Sequence, residues 1–531
     1  MRDNGERFER KQGLLSLLVR RFLFFMAGSA IALGLSPSTV QAEGYAYPYR
    51  DPYLATVTTA ILNADGVTPR LKREAIHVPV LAGRSHLPAL EGRGRVSMTL
   101  YRQDHPAPLL FVLAGIGSNS YFGLGTYFAW LFHQQGFHVV ILPSPMSWNF
   151  ALAASRSGAP GYAPSDARDL YQTMQETLTL LRTRYHVVTT RIGFLGASLG
   201  ALDGAYLSVI DAQERKVGID TYLLLNPPLD LNYALERVDE WNALGGKFGR
   251  AGSEALVARA LAIVDAFSTE RRDNPAVFDR LTREFATFTR EEVQFLLAKA
   301  LQTALPELVY VTEAIQDRDA RPTTSGEARR RIQAANRVTF VDYAERLAVP
   351  LWRKQSTGLP TDLQGFARRG SLTPILERLR DNPRVHIVHN ADDILTTRQS
   401  IRRLEQTLGP RLVVFPYGGH LGNLWYPDNK DYMLRIFGGG LYISSGGRGP
   451  ARGVHRQLTG SVLGRPETVV GEIHAFRQGP TGLSQICAQL QRTPAHDAVG
   501  HFSLDSAECC DRPSSWPSTA PLRLAQGCGR P

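Results

Sequence analysis

The feature of this sequence that most constrains its fold is a series of short apolar runs that alternate with helical patterns. The runs are typical of strands buried on both faces of a parallel sheet, and they comprise Leu109 to Leu113, Val139 to Leu142, Ile192 to Leu195 and Tyr222 to Leu225. Between the second and third runs, apolar residues recur at helical spacing from Leu170 to Leu181, and Ser165 is the expected N-cap of that helix. The alternation predicts an α/β fold with a mostly parallel sheet and helices on both faces.

The alternation stops between residues 229 and 380. This stretch contains long helical patterns, such as residues 290–301, and no run typical of a buried strand. Strand patterns return at Val385 to Val388 and at Leu412 to Phe415. Because the strands before and after this stretch must join one sheet, residues 229–380 are interpreted as a helical cap inserted late in the sheet. The core then has two parts, residues 43–228 and residues 381–437.

Both ends of the chain differ in character from this body. Residues 1–42 contain a basic segment, an apolar run from Phe22 to Leu35 and small residues before Glu43, which predicts a signal peptide cleaved after Ala42. We therefore expect a periplasmic or secreted protein, exported by the general or the twin-arginine route. Residues 438–531 hold all 4 cysteines and are rich in Gly, Pro, Ser and Arg without apolar periodicity, so a disordered tail is predicted.

The charge pattern and the short motifs exclude several classes of function. The formal net charge is +11, but the basic residues are interleaved with acids and form no stripe with aromatic residues, so no nucleic-acid binding is expected. Peripheral contact with a membrane or an envelope partner stays open, as does the oligomeric state. Gly115-Ile116-Gly117 lacks the third glycine of a dinucleotide-binding motif, and no ligand set has metal-binding spacing. We therefore expect no cofactor and no metal.

A candidate nucleophile lies where an apolar run ends and a helical pattern begins, in Gly196-Ala197-Ser198-Leu199-Gly200. A serine hydroxyl needs a base within hydrogen-bond reach and a third group that orients the base. Asp392 and Asp393 follow one returning strand, and His420 follows the last strand. Because the carboxyl ends of parallel strands meet at one edge of a sheet, these side chains are predicted to converge there.

These residues resemble the α/β-hydrolase superfamily over roughly residues 73–437. The G-x-S-x-G nucleophile elbow around Ser198 and the chain order Ser, Asp, His carry the resemblance. It implies an α/β-hydrolase fold in which Ser198 is the nucleophile, His420 the base and Asp393 the acid. Asp393 is preferred because a hydrophobic pair follows it, and Asp392 is the alternative.

The same resemblance assigns an oxyanion hole and a reaction. The two N–H donors would come from Leu199, which follows the nucleophile, and from Ile116 in the loop after an early strand. The implied function is an exported serine hydrolase that cleaves an ester, or a thioester or amide, through an acyl-enzyme, with a small-molecule or acyl-ester substrate. The alternative is a non-catalytic member of the fold that binds a ligand or an envelope partner.

Overall fold

The computed structural model describes residues 44–438, with gaps at 64–70, 80, 82–83, 85–86, 91–94, 268–274, 318–321, 323 and 356–361. The predicted signal peptide and, beyond Gly438, the predicted tail lie outside the described residues. Over the described part of the chain, no helix combines the length and the apolar character needed to cross a membrane.

An eight-stranded sheet forms the centre of the protein, in the order β1-β2-β4-β3-β5-β6-β7-β8. Its strands are β1 (Glu74–Val78), β2 (Val96–Tyr101), β3 (Ala107–Leu113), β4 (His138–Leu142), β5 (Thr189–Ala197), β6 (Thr221–Leu225), β7 (Val385–Asn390) and β8 (Leu412–Phe415). Strand β2 pairs antiparallel with β1 and β4, and every pair from β4 to β8 is parallel. The predicted fold class is confirmed: the chain has an α/β-hydrolase fold with a mostly parallel sheet.

Side chains on both faces of the sheet are buried. In β3, Leu109 and Phe111 belong to one apolar cluster, while Leu110 and Val112 belong to a second cluster on the other face. Successive side chains of a strand point to opposite faces, so this division places packed helices on both sides of the sheet. The continuous apolar runs of the sequence are the consequence of that double burial.

The helices before the sixth strand are α1 (Pro52–Val57), α2 (Thr59–Asn63), α3 (Leu124–His133), α4 (Trp148–Ala153), α5 (Ala163–Thr183) and α6 (Leu199–Glu214). Between β6 and β7 lie α7 (Leu231–Ala243), α8 (Gly245–Phe267, kinked at Gly249), α9 (Pro275–Phe285), α10 (Arg290–Leu301), α11 (Leu305–Gln316), α12 (Ser325–Ala335), α13 (Phe340–Tyr343), a π-helical turn (Ala344–Ala348), α14 (Val349–Gln355), α15 (Leu363–Gly370) and α16 (Leu376–Arg380). The last helices are α17 (Arg398–Leu408) and α18 (Pro427–Ile436).

The start of α5 corrects one sequence expectation. The N-cap is Tyr162, and Ser165 lies inside the first turn. Pro164 occupies a first-turn position, where its fixed φ favours helical geometry and its missing N–H leaves no bond unmade. The helix therefore begins before the serine that was expected to cap it.

Two buried acids lie where α5 packs against α6. The relative exposure of Asp166 is 3% and that of Asp203 is 1%. Burial and the neighbouring Asp203 raise the pKa of Asp166 well above its ordinary value, and burial raises the pKa of Asp203 as well. The backbone N–H of Gly161 donates to Asp166 Oδ2 at 2.7 Å, whereas the Asp203 oxygens accept no hydrogen bond from any described residue. The two acids therefore retain a proton at pH values where exposed carboxyls have lost theirs.

Asp203→Asn should gain stability over the wild type as the pH rises. A raised folded-state pKa means that the native protein holds a proton that the unfolded chain releases, so the wild type loses stability as the pH climbs above the unfolded value toward the folded one. Asparagine does not ionise. In urea unfolding, the stability of Asp203→Asn relative to the wild type should rise between pH 5 and pH 8 by up to about 1.4 kcal/mol per pH unit, with Asp104→Asn as the exposed control. Identical pH profiles in both variants would contradict the buried-acid interpretation.

Candidate active site

Ser198 lies on a sharp turn between β5 and α6. Its φ of 55° and ψ of −123° are strained for a residue with a side chain. A Cβ added to Gly196 would lie 2.3 Å from the Gly200 carbonyl oxygen, and one added to Gly200 would lie 2.4 Å from that of Ala114. The two flanking glycines are therefore required by close approach of the backbone, which is the geometry expected of a nucleophile elbow.

Ser198, His420 and Asp393 form one row of hydrogen bonds. His420 Nε2 lies 2.9 Å from Ser198 Oγ, and His420 Nδ1 lies 3.1 and 3.0 Å from the two Asp393 carboxylate oxygens. With a proton on Nδ1 donated to the carboxylate, the lone pair of Nε2 faces the serine hydroxyl. All three side chains are buried. The fold thus brings together residues as far as 222 positions apart in the chain.

Asp392 contacts the backbone of the loop after β8 that contains His420, called here the His420 loop, and among the described residues it forms no hydrogen bond with the imidazole. Its carboxylate accepts hydrogen bonds from the N–H groups of Gly418 and Gly419 at 3.3 and 2.9 Å. Burial raises the pKa of Asp392 to about 6. Of the two candidate acids, only Asp393 is therefore placed to orient His420.

The Asp393 carboxylate has two further donors. Asn226 Nδ2 donates to Oδ2 at 2.8 Å, and the Leu395 N–H donates to Oδ1 at 2.8 Å. Burial by itself would raise the pKa of Asp393, but interactions with His420 and the Leu395 N–H outweigh burial, so the pKa lies below its ordinary value. The carboxylate therefore stays ionised and fixed in orientation beside the imidazole.

A second histidine, His389, lies beside the acid in a different role. Its Nδ1 is 3.8 Å from Asp393 Oδ2 and accepts from the Asn390 N–H at 3.1 Å, while Nε2 donates to the Pro227 carbonyl at 3.2 Å. Burial lowers the pKa of His389. The ring is thus a neutral, hydrogen-bonded part of the site's packing.

The two proposed oxyanion donors lie in the turns that follow β5 and β3. Leu199 is the first residue of α6, and Ile116 lies in the turn after β3. In that turn, a Cβ placed on Gly115 would lie 3.4 Å from Ser198 Cβ. Neither the Leu199 nor the Ile116 N–H donates to an acceptor in the described part of the chain. Their role as an oxyanion hole stays a prediction.

A segment that the sequence analysis did not identify holds the His420 loop. We call residues 45–58 the N-terminal strap. Thr56 Oγ1 accepts from the His420 N–H at 2.9 Å, and the Thr58 hydroxyl donates to the Gly422 carbonyl at 2.6 Å. The Tyr47 hydroxyl donates to the same carbonyl at 3.1 Å. The strap thus holds the backbone of this loop at His420 itself and two residues after it.

The N-terminal strap also contacts the helices between β6 and β7. Asp51 forms an ion pair with Arg290 at 2.9 Å, and the Tyr49 hydroxyl donates to Asp279 at 2.7 Å. One continuous segment therefore bridges the His420 loop and the helical insertion. The alternating tyrosines at positions 45, 47 and 49 were a signal for an extended segment with one buried face.

Asn226 was also missed, although its signal was present. It is the first polar residue after the apolar strand β6, the same kind of position that pointed to Asp393 and His420. In the described part of the chain, no group of three or more His, Cys, Asp or Glu side chains is arranged to hold a metal ion.

No family model and no curated protein matches this chain. Among solved structures, it is similar to an acylaminoacyl peptidase from Pyrococcus horikoshii, with 10% identity, a TM-score of 0.34, and coverage of 69% of this chain and 41% of that chain. It is also similar to a hyperthermophilic esterase from Pyrobaculum calidifontis, with 14% identity, a TM-score of 0.34, and coverage of 73% and 90%. The fold assignment therefore depends on the chain's own sheet topology and elbow.

Thr56→Val should slow the reaction of Ser198 with an alkyl fluorophosphonate. Valine keeps the shape of threonine but leaves the His420 N–H without its acceptor, and a lost buried hydrogen bond of about 1–3 kcal/mol allows the ring to move from the serine. We expect a second-order labelling rate about tenfold or more below the wild type. Thr59→Val is the matched control, because the Thr59 hydroxyl has one hydrogen bond among the described residues, to Thr56 O within its own turn. Equal rates in the two variants would show that the strap does not position His420.

Proposed function

We propose that this protein is a serine hydrolase that cleaves a carboxylic ester, or a related thioester or amide, through an acyl-enzyme. The observation that carries the proposal is the row of hydrogen bonds in which His420 Nε2 lies 2.9 Å from Ser198 Oγ, and Nδ1 lies 3.0 Å from Asp393 Oδ2. A hydroxyl, a base and an orienting carboxylate in this order are what nucleophilic catalysis by serine requires.

In the proposed mechanism, Ser198 Oγ attacks the substrate carbonyl carbon while His420 Nε2 takes the hydroxyl proton. Asp393 holds the imidazolium in place. The negative charge that develops on the carbonyl oxygen is stabilised by the N–H groups of Leu199 and Ile116. His420 then protonates the leaving group, and in the second half of the reaction it takes a proton from the water that releases the acid.

The surroundings of Ser198 support an acyl group of hydrocarbon character. Ile394 belongs to an apolar cluster that also contains Leu305 and Leu308 of the insertion, and Ile116 and Leu199 pack against this cluster. Apolar walls exclude water from the reacting carbonyl and strengthen the electrostatic interactions there. A carboxylic ester is therefore the first substrate class to test.

We also propose that the protein acts in the periplasm or outside the cell. This proposal depends on residues 1–42, whose basic segment and apolar run have the order of a signal peptide. Cleavage after Ala42 would leave the N-terminal strap at the start of the mature chain.

The hydrolase proposal is tested by kinetics on 4-nitrophenyl acetate, butanoate and octanoate with the mature chain. Ser198→Ala and His420→Ala should each lower kcat by at least about a thousandfold, because the triad acts as a unit. Asp393→Asn should lower kcat by roughly 10⁴ through the wrong imidazole tautomer. Asp392→Asn is the matched control and should have a much smaller effect, since its oxygen can still accept from one loop N–H.

Two results would overturn this function. The first is a folded wild type that hydrolyses none of these esters. The second is a set of variants in which Asp392→Asn abolishes turnover and Asp393→Asn does not, which would mean that the acid is misassigned. Circular dichroism spectra that match between variants ensure that the losses reflect chemistry.

A further inference from the structure

The peptide bond between Gly419 and His420 is held from both sides. On one side, the His420 N–H donates to Thr56 Oγ1 at 2.9 Å, while the Thr56 hydroxyl donates its own proton to the Pro52 carbonyl at 2.7 Å. On the other side, Asn390 Nδ2 donates to the Gly419 carbonyl at 2.8 Å. The two bonds together fix the orientation of the peptide plane from which the His420 side chain begins.

Asn390 contacts the loops of both the candidate acid and the candidate base. It is the last residue of β7, which lies inside the sheet between β6 and β8, and its relative exposure is 0%. Its backbone carbonyl accepts a hydrogen bond from the Asp393 N–H at 3.1 Å, whereas its side chain reaches the peptide that precedes His420. A single residue on a rigid strand therefore links the positions of Asp393 and His420.

A second buried asparagine, Asn423, fixes the orientation of the Asn390 amide. Asn390 Nδ2 donates to Asn423 Oδ1 at 3.1 Å, and Asn423 Nδ2 donates to Asn390 Oδ1 at 2.8 Å. Asn423 also donates to the Tyr45 hydroxyl at 2.9 Å and accepts from Asn429 Nδ2 at 3.0 Å. A 180° flip of either amide would place donor against donor and acceptor against acceptor. The Nδ2 group of Asn390 therefore stays directed at the Gly419 carbonyl.

The loop backbone packs closely between this amide pair and the N-terminal strap. A Cβ added to Gly418 would lie 2.6 Å from Asn390 Nδ2 and 2.6 Å from Asn423 Cγ. One added to Gly419 would lie 2.2 Å from the Pro52 carbonyl oxygen. The space on both sides of the loop is filled, so the two hydrogen bonds act on a backbone that has little room to move.

We propose that Asn390 is a positioning residue for the hydrolytic reaction, and that its amide, oriented by Asn423, keeps the His420 imidazole between Ser198 and Asp393. This inference rests on the proposed hydrolase function. A buried polar pair whose groups are satisfied specifies one rigid arrangement, and loss of the Asn390 donor leaves the buried Gly419 carbonyl without its partner. Asn390 touches no reacting atom and takes no part in proton transfer.

The first test compares Asn390→Leu with Asn429→Leu. Leucine has a volume similar to that of asparagine but donates no hydrogen bond. Asn429 is equally buried and belongs to the same amide network, yet within the described chain it forms no hydrogen bond with the Gly419–His420 peptide, which makes it the matched control. Rates are compared well below each variant's urea midpoint, where the protein is folded, and Asn390→Ala replaces the leucine variant if that variant does not fold.

Asn390→Leu should lower the second-order rate of Ser198 labelling by an alkyl fluorophosphonate about tenfold or more. It should lower kcat for 4-nitrophenyl butanoate to a similar extent and leave KM unchanged, because the imidazole is displaced and the acyl pocket is not. Asn429→Leu should stay within about twofold of the wild type in both measurements. Equal labelling rates in Asn390→Leu and Asn429→Leu would overturn the inference.

A double-mutant cycle separates positioning from general damage to the fold. Asn390 and Thr56 hold the same peptide, so the labelling losses of Asn390→Leu and Thr56→Val should be coupled, and the double variant should be faster than the product of the two single losses predicts. Losses that multiply exactly would mean that the two residues act independently, which contradicts a shared effect on His420.

A spectroscopic measurement keeps the inference testable without hydrolysis. The His420 Nδ1 proton donated to Asp393 should give a far-downfield proton NMR signal that is missing in His420→Ala. Its exchange with water should be faster in Asn390→Leu than in the wild type, and unchanged in Asn429→Leu. If the wild type neither hydrolyses esters nor reacts with the fluorophosphonate, the hydrolase proposal fails separately and this signal decides the role of Asn390. Equal exchange rates in all three proteins, or no such signal in the wild type, would refute it.

Discussion

The candidate site depends on the close backbone packing of the turn between β5 and α6. Strand β5 lies inside the sheet between β3 and β6, and the Ser198 N–H donates to the Leu225 carbonyl of β6 at 2.8 Å. That bond and the two glycine contacts hold Ser198 at a φ that its side chain disfavours. The rigid sheet compensates the strain, and the hydroxyl is presented at the strand end, where His420 can reach it.

His420 and Asp393, which complete the row of hydrogen bonds with Ser198, are held by contacts from distant parts of the chain. The strap supports His420 through Thr56, the carboxylate of Asp392 holds the loop that precedes His420, and Asn226 orients Asp393. These contacts come from several different elements. The geometry of the site therefore depends on the packing of the whole fold. Because the strap also contacts the insertion, the same segment packs against both the loop of the candidate base and the insertion.

The sequence predicts those features that follow from local periodicity and from strand ends. Burial on both faces of β3 and β5 appears in the sequence as continuous apolar runs. The ends of such runs then located the elbow, Asp393 and His420. The predicted N-cap of α5 was wrong. Pro164 favours the first turn of a helix, so α5 begins before Ser165. The strap was not predictable in this way, because Thr56 acts on a residue 364 positions away in the chain.

Acyl transfer to Ser198 is the central proposal, and an aryl carbamate tests it most directly, because carbamoylated serines release their acyl group slowly. The mature protein should liberate one equivalent of the phenol, and peptide mass mapping should place the carbamoyl group on Ser198, with no adduct in Ser198→Ala. Stoichiometric carbamoylation at another residue, or continuous turnover by Ser198→Ala, would contradict the assignment of Ser198 as the nucleophile.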